Sequence, residues 1–314
     1  MKQQSPTQLF MVEPACFYTN TQTTDSNHYQ SDDSDQSKEE ILKSAKKEFH
    51  NLKNKIEENE IKVISCPGNQ NCPDHIFPNW FTTFPDKTMQ IFSMKAKNRR
   101  TEKTPEMISL LKETYELTSD YSNYENKDIF LESTSSMVFD RVNKVAYIGI
   151  SPRTNKELAK KWCQDNSFEM VLFETTSHVG KPIYHSDVFM YVGTEIIGIC
   201  IDIINEEYRE LVLDKVSRFH DVMLISEDQI LDFCGNSDVA KPKDVYTVTS
   251  NGILEFLKDR KEIFNFNFAS DVQKSLDLLD YINQLEHVDN TLHPVWYKPY
   301  EEFMEQVFSN LHKH

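Results

Sequence analysis

An α/β fold with internal repeats is what the hydrophobic pattern predicts. Short apolar runs of strand length alternate with amphipathic helices along the chain, and a unit of one strand pair plus one helix returns about every 50–60 residues. A third observation argues against a dinucleotide-binding sheet: only 7 glycines occur in 314 residues, so glycine-rich turns that cradle phosphates are absent. No linker divides the sequence, and residues 1–314 are read as one domain with a polar loop at about 24–37.

The elements follow in order. Leu9 to Pro14 is a short apolar run closed by proline and reads as a strand. From Glu39 to Glu58 the residues Ile41, Leu42, Ala45, Phe49, Leu52 and Ile56 recur at helical spacing, and Ser37 with Glu40 forms a capping box. A strand at Ile61–Ser65 completes the first unit. Further helices are expected at Pro105–Glu116, Asn155–Asn166, Glu206–Phe219, Asn251–Lys261 and Asp271–His287. Strands are expected at Met137–Phe139, Val145–Ile150, Glu169–Phe173, Asp187–Val192, Ile196–Ile201 and Asp221–Ser226.

Composition narrows the function classes. With 34 Lys+Arg against 50 Asp+Glu the formal charge is −16, which repels phosphate backbones and anionic lipid, and no local basic patch offsets it. Nucleic acid is therefore not an expected partner. The longest apolar stretch, around Ile196–Ile201, is far below the roughly 18–20 residues of a membrane span. The N-terminus lacks the features of a secretory or transit signal. The 6 cysteines are scattered without a CxxC pair, which reads as free thiols in a reducing intracellular compartment, with no metal site and no cofactor expected; a clip across Cys66 and Cys72 is the one alternative.

Three stretches are denser in polar and aromatic residues than surface loops require. Cys72-Pro73-Asp74-His75-Ile76-Phe77-Pro78-Asn79-Trp80-Phe81 places an acid between two prolines and is followed by Lys97-Asn98-Arg99-Arg100-Thr101-Glu102. Leu131-Glu132-Ser133-Thr134-Ser135-Ser136-Met137-Val138-Phe139-Asp140-Arg141 sets two carboxylates around a hydroxyl-rich turn. Pro182-Ile183-Tyr184-His185-Ser186-Asp187-Val188 opens a strand with a histidine. Singly, each has a plain structural explanation: Asp74 as a turn acid, Arg99 and Arg100 as a solvated face, His185 as a half-buried hydrogen-bonded ring.

Together and in order, with Gln8–Pro14, Phe17-Tyr18-Thr19-Asn20 and Asp232-Phe233-Cys234-Gly235-Asn236, these stretches resemble the amidinotransferase-related proteins. The resemblance is to the citrulline-hydrolase branch of the guanidine-modifying superfamily, relatives of arginine deiminases and dimethylarginine hydrolases. It implies a five-bladed α/β propeller, the pentein fold, with pseudo-fivefold repeats. It also implies nucleophilic chemistry, in which a C-terminal cysteine attacks the guanidinium or ureido carbon, a histidine moves protons and carboxylates hold the planar nitrogens. Carried over, the substrate-side acid is Asp74, the acid beside the catalytic histidine is Glu132, and that histidine is His185. Asn79 and Asn236 fall on substrate-facing loops.

The departures bear on activity. The stretch where the family keeps its nucleophile, Asn290 to Phe303, has no cysteine, and its place falls near Glu301 or Glu302, where a carboxylate is a poor nucleophile. The last cysteine of the chain is Cys234, a candidate for a relocated nucleophile, as is Cys72. Serines 133 and 135 replace family glycines, Phe84 replaces a histidine, and one of two asparagines before Trp80 is deleted. The resulting expectation is a catalytically inactive relative acting as a structural or accessory subunit of a larger protein assembly, with His185 and Glu132 vestigial. The alternatives are an active hydrolase of a guanidino or ureido amino acid, or a sensor of an arginine- or citrulline-like ligand.

Overall fold

In the computed structural model, residues 4, 6, 8–30, 36–58, 61–231, 235, 237–239 and 246–248 are described. The chain opens with β1 (Gln8–Glu13), α1 (Lys38–Glu58) and β2 (Lys62–Pro67), with β1 and β2 parallel. The Ser37 capping box forms as the sequence predicts: Glu40 N–H donates to Ser37 Oγ at 3.3 Å and Ser37 N–H donates to Glu40 Oε2 at 2.9 Å. The helix lays Phe49 and Ile56 inward, and Ile56 packs with Ile61, Leu9, Met11 and Val63.

Three complete repeats follow. The first holds β3 (Phe81–Thr83), β4 (Thr88–Ile91), α2 (Lys97–Arg100), α3 (Pro105–Lys112) and β5 (Glu116–Asp120). The second runs from α4 (Ser133–Ser136) through β6 (Met137–Asp140), β7 (Val145–Gly149) and α5 (Lys156–Asn166) to β8 (Glu169–Phe173). The third contains β9 (Met190–Val192), β10 (Ile196–Ile199), α6 (Glu206–Val216) and β11 (Asp221–Leu224). In each, an antiparallel hairpin is extended by a parallel third strand that returns after the helix. The helix α7 (Glu227–Leu231) leads to a fourth hairpin, β12 (Ser237–Val239) with β13 (Tyr246–Val248). The repeat is thus a strand triplet and a helix, where the sequence pattern suggested a pair.

Sequence signals explain most boundaries. Thr104 caps α3 by accepting from Met107 N–H, with Pro105 at the first helical position. Asn155 caps α5 by accepting from Leu158 N–H at 2.9 Å. The helix expected to reach Glu116 ends at Lys112, because Glu116 already belongs to β5. The strand expected from Asp187 begins only at Met190, since Ser186–Val188 forms a single 3₁₀ turn. The helices expected at Asn251–Lys261 and Asp271–His287 lie outside the described residues.

The core of the second repeat is aromatic. Trp162 of α5 stacks on Phe139 of β6 with centroids 4.8 Å apart and planes 8° from parallel, and Leu131, Met137, Ala146 and Ile148 close around them. Burying such side chains contributes about 1.5–3 kcal/mol each, which fixes the start of β6 and the turn before it. Glycine scarcity shows in the turns: Lys87, Asp128, Ser133, Lys144 and Ser167 all adopt positive φ, a conformation costly for residues with a Cβ. Gly235 is placed by necessity, since a Cβ there would stand 2.5 Å from Val188 O and Phe189 Cα.

Candidate functional site

Glu132 is the centre of a buried polar cluster. It precedes α4, whose one turn leads straight into β6, so packing of Met137 and Phe139 anchors it from below. Its side chain is fully buried and both carboxylate oxygens are engaged. Oε1 accepts Lys95 N–H at 2.9 Å. Oε2 lies 2.7 Å from His185 Nε2, 3.6 Å from an Arg153 guanidinium nitrogen and 3.9 Å from one of Arg99. Burial pushes this carboxyl up, but Arg153, the His185 hydrogen bond and Arg99 outweigh it and hold Glu132 well below the usual carboxylate range.

His185 is 3% exposed. Burial lowers it below its ordinary value despite the pull of Glu132, so at neutral pH the ring is neutral and Nε2–H is the donor to the Glu132 carboxylate. Nδ1 faces Asp187 at 3.9 Å. Burial raises Asp187, partly offset by His185.

Arg99 and Arg153 complete the cluster. The expectation of a solvated face fails for Arg99, which is 2% exposed: Nε donates to Glu102 Oε1 at 2.8 Å, and the guanidinium also reaches Glu102 Oε2, Phe77 O and Asp74 O. Glu102 is itself fully buried, and burial pushes its carboxyl up to about 7 against the pull of Arg99. Arg153 donates to Ser26 Oγ at 3.0 Å and to Thr23 O at 3.4 Å, and its guanidinium lies over the Tyr184 ring at 4.6 Å. Hydroxyls tie the frame together. Ser136 Oγ accepts from Glu132 N–H at 2.9 Å and from Thr154 Oγ1 at 2.9 Å, and donates to Arg153 O at 3.1 Å.

The residues singled out from sequence are placed as follows. Glu132 and His185 come together. Asp74 joins the cluster's edge, where its carboxylate accepts Asn20 Nδ2–H at 2.8 Å. Asn79 stays outside it: it closes a turn through its backbone N–H on Phe77 O at 2.7 Å, with no side-chain bond to Asp74, Glu132 or His185 among the described residues. Asn236, Cys234 and the stretch Asn290 to Phe303 with Glu301 and Glu302 lie outside the described residues. Of the polar segment at about 24–37, residues 24–30 and 36–37 are described and Ser26 is buried; with Asn20 and Thr23, which precede it and are also buried, it forms part of the site wall; residues 31–35 lie outside the described residues.

Sequence reasoning missed Arg153 and Thr154, and noted Ser136 only as part of a hydroxyl-rich turn. A cation between Pro152 and the helix-capping Asn155 was the available signal. Among the described residues no thiol hydrogen-bonds to His185: Cys72 Sγ donates to Asn98 O at 3.1 Å, and burial raises it above the ordinary thiol value. Phe84 packs on Trp162 and under the Arg141 guanidinium. No group of three or more His, Cys, Asp or Glu side chains is placed to hold a metal ion among the described residues.

Comparison with known families decides the relationship. Residues 13–267 match the family described as N,N dimethylarginine dimethylhydrolase, eukaryotic. The chain belongs to that family. Solved structures place the dimethylhydrolase-family fold here as the propeller-like α/β fold of the penteins. The N-terminal domain of ArgZ, an arginine dihydrolase from the ornithine–ammonia cycle in cyanobacteria, was solved with substrate bound; it matches at 15% identity and TM-score 0.60, covering 80% of this chain and 88% of that domain. Full-length ArgZ matches at 14% identity and TM-score 0.57, and the match covers 35% of its length. A dimethylarginine dimethylaminohydrolase adduct with S-methyl-L-thiocitrulline matches at 14% identity and TM-score 0.53, covering 80% of this chain and 88% of that one. No curated protein matches the chain.

Proposed function

We propose that this member of the dimethylhydrolase family is catalytically silent and is kept as a structural or accessory subunit of a protein assembly. One observation carries the reading: the acids that would hold a guanidinium already have partners within the chain. Glu132 is bound by Lys95 N–H, His185, Arg153 and Arg99, and Asp74 by Asn20. A ligand guanidinium at Glu132 must compete with two buried arginines, and stripping one partner from a buried ion cluster costs several kcal/mol. The neutral His185 has no thiol partner among the described residues, and a histidine proton shuttle without a nucleophile performs no acyl or amidino transfer.

An active hydrolase with Cys234 as relocated nucleophile, or a sensor of an arginine- or citrulline-like ligand, are the competing readings. Incubation of the full chain with arginine, citrulline and dimethylarginine is expected to give no ammonia or ureido product and no thermal stabilisation. Turnover lost in both His185→Ala and Cys234→Ala overturns silence in favour of the hydrolase. Stabilisation by one of these amino acids without turnover replaces the subunit reading with the sensor.

A further inference from the structure

The segments leaving β1 and β2 exit at the same end and run side by side, with Gly68 N–H donating to Glu13 O at 2.8 Å. They bring two cysteines onto one carbonyl. Asn69 O accepts Cys16 Sγ–H at 3.6 Å and Cys72 N–H at 3.1 Å, so the Cys16 sulfur stands beside the backbone of Cys72. The Cys72 thiol in turn donates to Asn98 O at 3.1 Å. Neither acceptor depends on its thiol. Asn98 O also takes Thr101 Oγ1–H at 2.8 Å and Thr101 N–H at 3.2 Å, and Asn69 O keeps the Cys72 N–H. Removing both S–H protons therefore orphans no buried carbonyl. Cys66, nearer to Cys72 in sequence, lines a groove with Pro67, Gly68, Asn69, Met107 and Leu110 and, among the described residues, has no hydrogen bond to Cys16 or Cys72.

We infer that Cys16 and Cys72 are a modification site: under oxidising conditions they join in an intramolecular disulfide that acts as a clasp on the wall of the acid cluster. Cys16 lies four residues before Asn20 and Cys72 two before Asp74, and Asn20 donates to the Asp74 carboxylate. The bond pins Asn20 over Asp74 and the covering loop with it. The co-reactant is a small disulfide such as oxidised glutathione. The thiolate of half-buried Cys16 attacks it, its S–S bond breaks and one glutathione leaves as thiolate. The Cys72 thiolate then attacks the Cys16 sulfur of the mixed disulfide and expels the second glutathione. Two protein thiols lose two electrons and two protons, and one glutathione disulfide becomes two thiols. Burial raises both protein thiols, so exchange is slow at neutral pH and faster in alkali. The inference stands whether or not the chain is catalytically silent.

The test equilibrates the full chain with reduced and oxidised glutathione at about pH 8.5, quenches in acid, counts thiols in denaturant and maps tryptic peptides without reduction. The expected result is loss of two thiols per monomeric chain and a cross-link between peptides Gln3–Lys38 and Val63–Lys87. Because Cys66 shares the second peptide, the link must persist in Cys66→Ser and vanish in Cys16→Ser, a change at a half-buried position that keeps folding intact. The oxidised wild type should melt several degrees above the reduced one, and Cys16→Ser should show no such difference. An unchanged thiol count, a link through Cys66, mixed glutathione adducts alone or covalent dimers each overturn the inference.

Discussion

Glu102 and Glu132 are both fully buried and both touch Arg99, yet they hold their protons in opposite ways. Glu132 receives a backbone N–H, a histidine N–H and two guanidinium groups, and it stays ionised far below the usual range. Glu102 has Arg99 alone as a cation and faces the negative charge of Asp74 and Glu132, and burial lifts it to about 7. The difference teaches that burial sets the cost of a carboxylate's charge, while the number of converging donors decides whether that cost is met.

The sharpest way to break this contrast is Glu132→Gln. It leaves Arg99, Arg153 and the Lys95 N–H facing a neutral amide, and a loss of about 3–5 kcal/mol in urea unfolding is expected. Survival with less than about 1 kcal/mol lost would mean that the two arginines are held by their other acceptors, Glu102, Ser26 and Thr23.

The second test is the pH profile of stability. Because the folded state raises Glu102 above the unfolded value, to about 7, its contribution is complete below about pH 4.3 and is lost as pH rises through about 7, on the order of 3–4 kcal/mol. Glu132 acts in the opposite sense: its contribution is present above about pH 4.3 and lost as pH falls below it. Glu102→Gln should remove the decline between these pH values and leave the acid-side loss in place. If urea denaturation shows the decline unchanged in Glu102→Gln, another group causes it.

The smallest effect concerns the turn that carries Glu132. Ser133 sits at φ 48°, a backbone conformation that favours glycine, yet its hydroxyl donates to Phe81 O at 2.8 Å. Ser133→Ala loses the bond and keeps the strain, whereas Ser133→Gly loses the bond and relieves it. The glycine variant should be the more stable of the two by about 0.5–1 kcal/mol. Equal stabilities would show that the turn has reshaped to suit a side chain.

Legibility differed between elements for physical reasons. The helices α1, α3, α5 and α6 were readable because periodicity and caps are local signals, as Ser37, Thr104 and Asn155 show. The strands β3, β4 and β5 were not. Glu-Leu-Thr-Ser-Asp of β5 alternates exposed and half-buried residues and carries one apolar side chain, so only its pairing with β4 makes it a strand. In the cluster, Glu132 and His185 were singled out from their motifs, and the fold brings them to 2.7 Å. Arg99 was misread because Lys97-Asn98-Arg99-Arg100 is polar throughout, and its burial comes from Glu102 and the carbonyl of Phe77 on another segment.

The sequence by itself determined the α/β repeat, the family and the pairing of an acid with a histidine, since patterning and ordered motifs are carried along the chain. Tertiary structure alone decided that Arg153, Arg99 and Asn20 meet the acids, and that Cys16 and Cys72 share the Asn69 carbonyl. Those outcomes depend on which loops the repeats bring together, and charge saturation in a buried cluster is a property of the assembled neighbours, not of any one stretch.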